Sequence, residues 1–262
     1  MLIENCALVT VIENNTDNRN SKILGERRYF DESVKCYESW RKFYPNINIY
    51  AICPTKATLN KKEQKILEKM DVKYIEEYMS ETEDFEYGFF NVPLALSWAE
   101  NNLKDKIFIH TDLDMILLRE LPVSLFAPVF EKKIICGKYD ENAREDQRVD
   151  YDTGFTIHLR NTYFYKQFWE ITKNILGNKI PKPDNILNYD IEEYAMELID
   201  KITSFEIHPI LKYQVGEGYP SIDTFSDKDL EGLYFWHEHI INKEKDYLIK
   251  EKIKTYKRLR KI

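Results

Sequence analysis

The sequence predicts an α/β protein in which a mostly parallel central sheet carries helices on both faces. Short apolar, β-branched runs alternate with longer segments of helical spacing as far as His110. This alternation of strand and helix implies right-handed crossovers and parallel strand pairing. No Gly- or Ser-rich linker, internal repeat or shift in composition interrupts the 262 residues. We therefore expect a single domain, 1–262, large enough to bury a substantial core.

The predicted elements follow one another in a regular order. Each strand is a short apolar run, and each helix has apolar residues three or four positions apart. The predicted strands are 6–12, 47–53, 72–75, 106–110, 133–137 and 153–159, and the predicted helices are 26–44, 59–70, 92–102, 163–176 and 191–201. Pro45 and Gly177 end two of the helices, and Thr58 is expected to cap another. Ligands bind such sheets at the carboxyl ends of the strands, so functional side chains should follow the strands.

Composition is typical of a globular protein without membrane spans or disulfides. The chain has 18 Tyr, 14 Phe and 4 Trp but only 8 Gly and 9 Pro. No apolar run approaches the roughly 18 residues of a membrane helix. Cys6, Cys36, Cys53 and Cys136 are far apart and are expected to be buried reduced thiols. Because the N-terminus does not resemble a signal peptide, we expect a cytoplasmic protein.

Charge is divided unevenly between the C-terminus and the rest of the chain. Residues 243–262 hold nine Lys or Arg and three Asp or Glu, although the whole chain carries a formal charge of −7. A basic tail on an acidic body favours peripheral contact with a negative surface such as lipid headgroups. The alternative is a solvated helix packed on the body. Nucleic acid is not expected as a partner, because the body is acidic and no recognition motif is present.

Two aspartates follow the most apolar of the predicted strands. Alternation along a strand would place Asp112 and Asp114 on one side and Leu113 on the other, facing the protein interior. Neighbouring carboxylates repel each other unless a cation joins them. Their hard oxygens suit Mg²⁺ or Mn²⁺, which keep coordination positions open for phosphates. The alternative is a pair of solvated loop acids, because a DxD pattern is frequent by chance.

The segment Ile107-Phe-Ile-His-Thr-Asp-Leu-Asp-Met-Ile116 resembles the metal-binding strand end of GT-A fold glycosyltransferases. In that family a Rossmann-like half that binds the nucleotide sugar, here 1–118, precedes an acceptor-side half, here 119–242. The resemblance implies that Asp114 coordinates Mn²⁺ or Mg²⁺ and that Asp112 binds the donor ribose, the ion, or both. It also implies a UDP- or GDP-sugar as donor and a glycan or glycolipid as acceptor.

Two later segments fit the same resemblance. Asp150-Tyr-Asp-Thr-Gly154 is similar to the segment that holds the donor sugar in retaining members. There Asp152 could accept sugar hydroxyls, and Gly154 permits close approach of the backbone to a ligand; an ordinary turn is the alternative. Phe235-Trp-His-Glu-His239 lies where glycogenin-like enzymes place a third metal ligand. His237 and His239 are alternatives for that ligand.

The remaining candidates would bind the phosphates or the base of the donor. Lys243 follows His237 at the family spacing, but Ile240 replaces the family's glycine, so its phosphate role is left open. Lys212 could neutralise a pyrophosphate, or it could belong to a structural loop. Thr10 ends the first strand, where the family binds the base and ribose.

The predicted function is metal-dependent transfer of a hexose from a nucleotide-diphosphate sugar to an acceptor hydroxyl. A late histidine ligand favours a retaining reaction, whereas an inverting one would need a base, for which Asp150, Asp152 or Glu217 could serve. Three alternatives are a DxD phosphatase, a nucleotidyltransferase and a GT-A scaffold that binds without catalysis. The phosphatase motif has Thr or Val at the position of Ile116 and usually lies at the first strand, whereas here the motif follows the fourth strand. A nucleotidyltransferase would need a Gly-Ser pair before the DxD motif, and this pair is missing.

Overall fold

The computed structural model describes residues 5–14, 29–84, 91–138, 149–160, 162–186, 190–211, 214–215 and 234–237. The strands are β1 (Cys6–Val11), β2 (Asn48–Cys53), β3 (Val72–Glu76), β4 (Ile107–Thr111), β5 (Met115–Leu117), β6 (Ile134–Lys138), β7 (Tyr151–Leu159), β8 (Ile207–Leu211), β9 (Gln214–Val215) and β10 (Phe235–His237). The α-helices are α1 (Tyr29–Phe43), α2 (Lys61–Lys69), α3 (Asn91–Asn102), α4 (Ala127–Phe130), α5 (Phe164–Leu176) and α6 (Ile191–Ile202). Short 3-10 helices cover Ser80–Asp84 and Val123–Phe126.

Seven strands form the central sheet in the order β3-β2-β1-β4-β7-β6-β8. All neighbours pair in parallel except β7, which is antiparallel to both β4 and β6. The predicted mostly parallel sheet is therefore confirmed. A smaller sheet of β5, β10 and β9 was not predicted, because its strands are only two or three residues long and lie far apart in the chain.

Helices cover both faces of the central sheet, as the sequence predicts. Cys6 and Leu8 of β1 belong to the core cluster that α1 and α2 cover. Ala7 and Val9 point the opposite way, into the cluster that α3, α5 and α6 cover. This alternation buries both faces of the strand, which explains why β1 is apolar except for the buried Thr10.

The strand order reverses between β1 and β4, which are neighbours at the centre of the sheet. β2 and β3 extend the sheet from one side of β1, and β4 lies on the other side. Val9 is opposite His110 in the register, and His110 Nδ1 donates to the Val9 carbonyl over 2.9 Å. Because β7 is antiparallel, it begins at the edge where β1 and β4 end. Such a reversal opens a crevice for ligands at the carboxyl ends of the strands.

Helix α2 begins with a capping box that differs from the prediction. Asn60 Oδ1 accepts from the backbone N–H groups of Lys62 and Glu63, and Glu63 Oε2 accepts from Asn60 N over 3.1 Å. The expectation that Thr58 caps this helix is wrong, because the helix begins later and Asn60 satisfies its first donors.

The cysteine prediction is confirmed, since Cys6, Cys36, Cys53 and Cys136 are all buried and free. Burial raises the pKa of the Cys6 and Cys36 thiols to about 12. In the described ranges, no helix is long and apolar enough to cross a membrane.

Candidate active site

Asp112, Leu113 and Asp114 form the turn between β4 and β5. Met115 N donates to the Asp112 carbonyl over 3.2 Å, which closes the turn. The predicted alternation along a strand does not apply, because β4 ends at Thr111. The Asp112 side chain is 42% exposed, whereas Asp114 is 8% exposed. The two carboxylates therefore differ in their access to a ligand. Leu113 is buried, as the sequence predicts.

The position of Asp112 is set by β7 and by α1. Its backbone N–H donates to the Gly154 carbonyl over 2.9 Å, which extends the β4–β7 pairing by one residue. The Sγ atom of Cys36 on α1 lies 3.9 Å from the Asp112 carbonyl oxygen and 3.7 Å from Thr111 Oγ1. On the other side, His110 Nε2 is 3.6 Å from Asp112 Oδ1. The DxD turn is thus held by packed elements on both sides.

Asp152 and Gly154 lie inside β7 and face the DxD turn. The sequence predicts that the Asp150–Gly154 segment precedes a strand, but β7 begins at Tyr151. A Cβ atom on Gly154 would be 2.9 Å from both Asp112 Oδ2 and Asp152 Oδ1. These two oxygens are therefore no more than twice that distance apart. Gly154 N also donates to Asp152 Oδ1 over 2.9 Å, and Asp152 is 3% exposed.

Glu192 is close enough to the charges of this acidic site to be affected by them, and sequence reasoning missed it. It lies in the first turn of α6, where part of its side chain reaches solvent. Its Oε2 atom is buried and has no hydrogen-bond partner among the residues described. Burial raises the pKa of Glu192 well above its ordinary value, and the charges of Asp112, Glu193 and Asp152 raise it further. Acidic residues are common in the first turn of a helix, so the pattern alone did not connect Glu192 with the DxD motif.

Strand β10 brings a predicted metal ligand towards the DxD turn. β10 pairs antiparallel with β5, so the backbone of His237 is opposite Met115, the residue after Asp114. The side chain of His237 and the whole of His239 lie outside the described residues. Within the part of the chain that the structure describes, no three His, Cys, Asp or Glu side chains are grouped closely enough to hold a metal ion.

The other predicted site residues have different outcomes. Thr10 is 0% exposed; its hydroxyl donates to the Tyr50 carbonyl over 3.3 Å and lies 2.7 Å from the Tyr37 hydroxyl. These contacts make Thr10 a core residue, and its side chain is not placed to bind a donor. Asp150 is exposed, and its backbone N–H donates to Glu197 Oε1 over 2.8 Å. The predictions for Lys212, Glu217 and Lys243 lie outside the described residues.

Several solved structures of similar fold are glycosyltransferases. The apo form of GlyE from Streptococcus pneumoniae TIGR4 aligns with a TM-score of 0.54 and 11% identity, over 88% of this chain and 53% of GlyE. An active-site mutant of LgtC aligns with a TM-score of 0.57 and 9% identity, over 96% of this chain and 95% of LgtC. The galactosyltransferase LgtC in complex with donor and acceptor sugar analogs has a TM-score of 0.51 and 9% identity, over 79% and 74% of the two chains. No protein-family model and no curated protein matches the sequence.

The chain has the GT-A fold of these glycosyltransferases, so the predicted fold is confirmed. It spans about half the length of the GlyE structure and nearly the whole of LgtC. At these identities the likeness is one of fold, and the activity is argued from the site.

Proposed function

We propose that the protein is a metal-dependent glycosyltransferase that moves a sugar from a nucleotide-diphosphate sugar to a hydroxyl group of a glycan or glycolipid. The observation that carries this proposal is the convergence of Asp112 and Asp152 over Gly154, at the edge where the strand order reverses. A GT-A fold and an acidic pair at this edge together favour a nucleotide-sugar site.

The acidic residues of the site fit a divalent cation. Asp112 and Asp114 supply hard oxygen ligands, and either His237 or His239 would supply a third ligand. Burial raises the pKa of Glu192, and the negative charges of Asp112 and Asp152 raise it further; a bound cation would offset these charges. When bound, Mn²⁺ or Mg²⁺ would offset the negative charge that develops on the diphosphate leaving group.

The half-exposed Asp112 and the buried Asp152 suit different parts of a donor. Asp112 is accessible enough to accept hydrogen bonds from a ribose. A carboxylate has about four acceptor positions, so Asp152 can accept from sugar hydroxyls in addition to Gly154 N. Lys212 and Lys243 are assigned to the phosphates on their charge alone.

The proposed reaction retains the configuration of the sugar. Glu192 is our candidate for a carboxylate near the reacting carbon, because it interacts electrostatically with both Asp112 and Asp152. An inverting reaction would need a base that takes a proton from the acceptor hydroxyl. Asp150, Asp152 and Glu217 are the candidates for that base.

The proposal is tested by measuring release of nucleoside diphosphate from UDP- and GDP-sugars with Mn²⁺, using the wild type, D114N and D71N. Asp71 is a matched control, because its carboxylate is 86% exposed and its backbone position, with φ of 55°, is one that Asn adopts readily. We expect D114N to lose roughly a hundredfold in rate and D71N to match the wild type.

Other results would point to the alternatives. Mn²⁺-dependent nucleotide binding without turnover, for every sugar offered, would indicate a scaffold that binds without catalysis. Release of phosphate from simple phosphomonoesters, lost in D114N, would indicate a phosphatase. Absence of any Mn²⁺-dependent nucleotide binding would contradict the proposed function.

A further inference from the structure

The ring of His110 is held by the neighbouring strand through one of its two nitrogens. His110 lies in β4 and is 2% exposed. Its Nδ1 atom is 2.9 Å from the carbonyl oxygen of Val9 in β1. Because a carbonyl oxygen can only accept, the proton of the neutral ring is on Nδ1, and Nε2 carries a lone pair. The bond to Val9 therefore fixes both the orientation and the tautomer of the ring.

The Nε2 atom of His110 is buried without a hydrogen bond. It has no hydrogen-bond partner among the residues that the structure describes. The residue opposite His110 in β7 is Thr156, whose hydroxyl is hydrogen-bonded to the hydroxyl of Tyr165. A buried acceptor without a partner is unfavourable, so Nε2 requires an explanation.

The polar atom next to Nε2 is another acceptor. Asp112 Oδ1 is 3.6 Å from Nε2, which is longer than the roughly 2.7–3.2 Å of an N–H···O hydrogen bond. An ionised carboxylate offers no proton, and neither does the lone pair of Nε2. A positively charged group between the two atoms would satisfy both of them.

A divalent cation meets this requirement. A histidine that binds a metal does so through its unprotonated nitrogen and donates its other N–H to a carbonyl or carboxylate, which is how His110 is bonded to Val9. Two adjacent ligands of one ion, with bonds of about 2.1 Å, lie roughly 3 to 3.5 Å apart. The 3.6 Å between Nε2 and Asp112 Oδ1 is close to that separation. Since Asp112 is 42% exposed, an ion would arrive from its side and have the imidazole as its inner ligand.

We infer that His110 Nε2 binds the cation at the DxD turn together with Asp112, and that it makes the site select Mn²⁺ over Mg²⁺. Imidazole nitrogen suits transition metals, whereas Mg²⁺ is held by oxygen ligands and water. This inference rests on the proposed function and deepens it, because the DxD motif supplies carboxylates alone and leaves the choice of metal open.

Calorimetric titration of the full chain with Mn²⁺ and with Mg²⁺, each alone and with UDP or GDP, tests the inference on the wild type, H110N and D114N. In H110N the shorter amide can still donate to the Val9 carbonyl, but no atom replaces Nε2. We expect H110N to bind Mn²⁺ about tenfold or more weakly than the wild type and to bind Mg²⁺ within about twofold of it. The preference for Mn²⁺ should therefore fall about tenfold.

Two controls and a spectroscopic measurement accompany the titrations. H208N makes the same chemical change at an exposed position of β8 and should bind both metals as the wild type does. Thermal unfolding of metal-free H110N shows whether this variant is folded. Pulsed EPR of bound Mn²⁺ counts the histidine nitrogens on the ion. We expect two in the wild type, one from His110 and one from either His237 or His239, and one in H110N.

The EPR result on the wild type decides the question if H110N does not fold, because fewer than two histidine nitrogens would overturn the inference. If folded H110N binds Mn²⁺ as tightly as the wild type and D114N loses that binding, His110 is not a ligand and the transferase proposal stands. Equal losses of Mn²⁺ and Mg²⁺ binding in H110N would also overturn the selection of Mn²⁺. If the wild type binds no Mn²⁺, with or without UDP or GDP, the proposed function is contradicted, and the assignment of His110 with it.

Discussion

The carboxylates of Asp112 and Asp152 both border the space over the Cα atom of Gly154. Asp112 Oδ2 and Asp152 Oδ1 are each 2.9 Å from the position that a Cβ atom of residue 154 would occupy. The antiparallel pairing of β4 with β7 produces this arrangement, with Thr111 opposite Phe155 at the end of the ladder. Any side chain at position 154 would have to displace one or both carboxylates, so the space over Gly154 is part of the site.

The substitution G154A should weaken Mn²⁺-dependent nucleotide binding by about tenfold or more, because the added methyl group displaces Asp112 and Asp152. Overpacking of this kind costs about 1–3 kcal/mol of unfolding free energy. Calorimetry measures the binding, and chemical denaturation measures the stability. Gly177 ends α5 with φ of −81°, and a Cβ atom there would lie 3.3 Å from the Lys173 carbonyl oxygen. G177A therefore adds a methyl group at a tight position away from the site and is the matched control. Unchanged binding in G154A would show that the carboxylates do not act together on the ligand.

In metal-free protein, E192Q should be more stable than the wild type at pH 8 and equally stable near pH 4. Burial and neighbouring acidic charges raise the pKa of Glu192 above its ordinary value of 4.5. The folded state therefore holds the proton more tightly than the unfolded state. The unfolding free energy of the wild type falls as pH rises from 4.5 towards the higher pKa of Glu192 in the folded state. Each unit of the shift corresponds to about 1.4 kcal/mol.

Melting temperatures in EDTA across this pH range check the effect of E192Q. The control is E68Q, which makes the same chemical change on the exposed face of α2. A lower melting temperature for E192Q than for the wild type at pH 8 would contradict the expected repulsion between Glu192 and the site.

A buried carboxylate away from the site, Glu100, should make stability depend on pH in the opposite sense. Glu100 accepts from Tyr165 N over 3.2 Å and from Thr162 Oγ1 over 3.1 Å, and His158 Nε2 is 3.6 Å away. Burial by itself would raise the pKa of Glu100, but His158, Thr162 and the backbone of Phe164 hold it below its ordinary value of 4.5.

The stabilisation that Glu100 provides is present above pH 4.5 and is lost as pH falls through its folded pKa. E100Q should therefore reduce the unfolding free energy by about 1–3 kcal/mol at pH 7, and by less as pH approaches 3. Denaturation curves at several pH values measure this difference. A constant difference at every pH would mean that packing, and not charge, accounts for the loss.

Deletion of residues 243–262 should weaken binding to vesicles that contain anionic lipids. This segment has nine Lys or Arg and three Asp or Glu, and each basic residue near an anionic surface contributes about 1 kcal/mol. Co-sedimentation with vesicles at low and high salt measures the effect, and neutral vesicles are the control. Equal binding by the full and shortened chains would remove the membrane prediction.

Six of the seven strands of the main sheet, and the long helices that cover it, could be predicted from the sequence because their signals are local. The edge strand β8 (Ile207–Leu211) was not predicted, because it is short and contains Pro209. The run at 47–53 was predicted as a strand and forms β2 (Asn48–Cys53), and the predicted helix at 191–201 forms α6 (Ile191–Ile202). Apolar periodicity and flanking Pro or Gly residues act within a few positions. The DxD motif was found for the same reason, since it directly follows the apolar strand β4.

The tertiary structure was needed to show which polar side chains lie near one another at the site. Apolar periodicity predicts that β7 is a strand but not that it runs antiparallel, and this direction brings Asp152 to Asp112. Glu192 has the sequence of an ordinary first turn, and Thr10 that of any strand end. Glu192 lies near the charges of the acidic site, whereas Thr10 lies in the core. Strand order and helix packing bring together residues that no local sequence pattern relates.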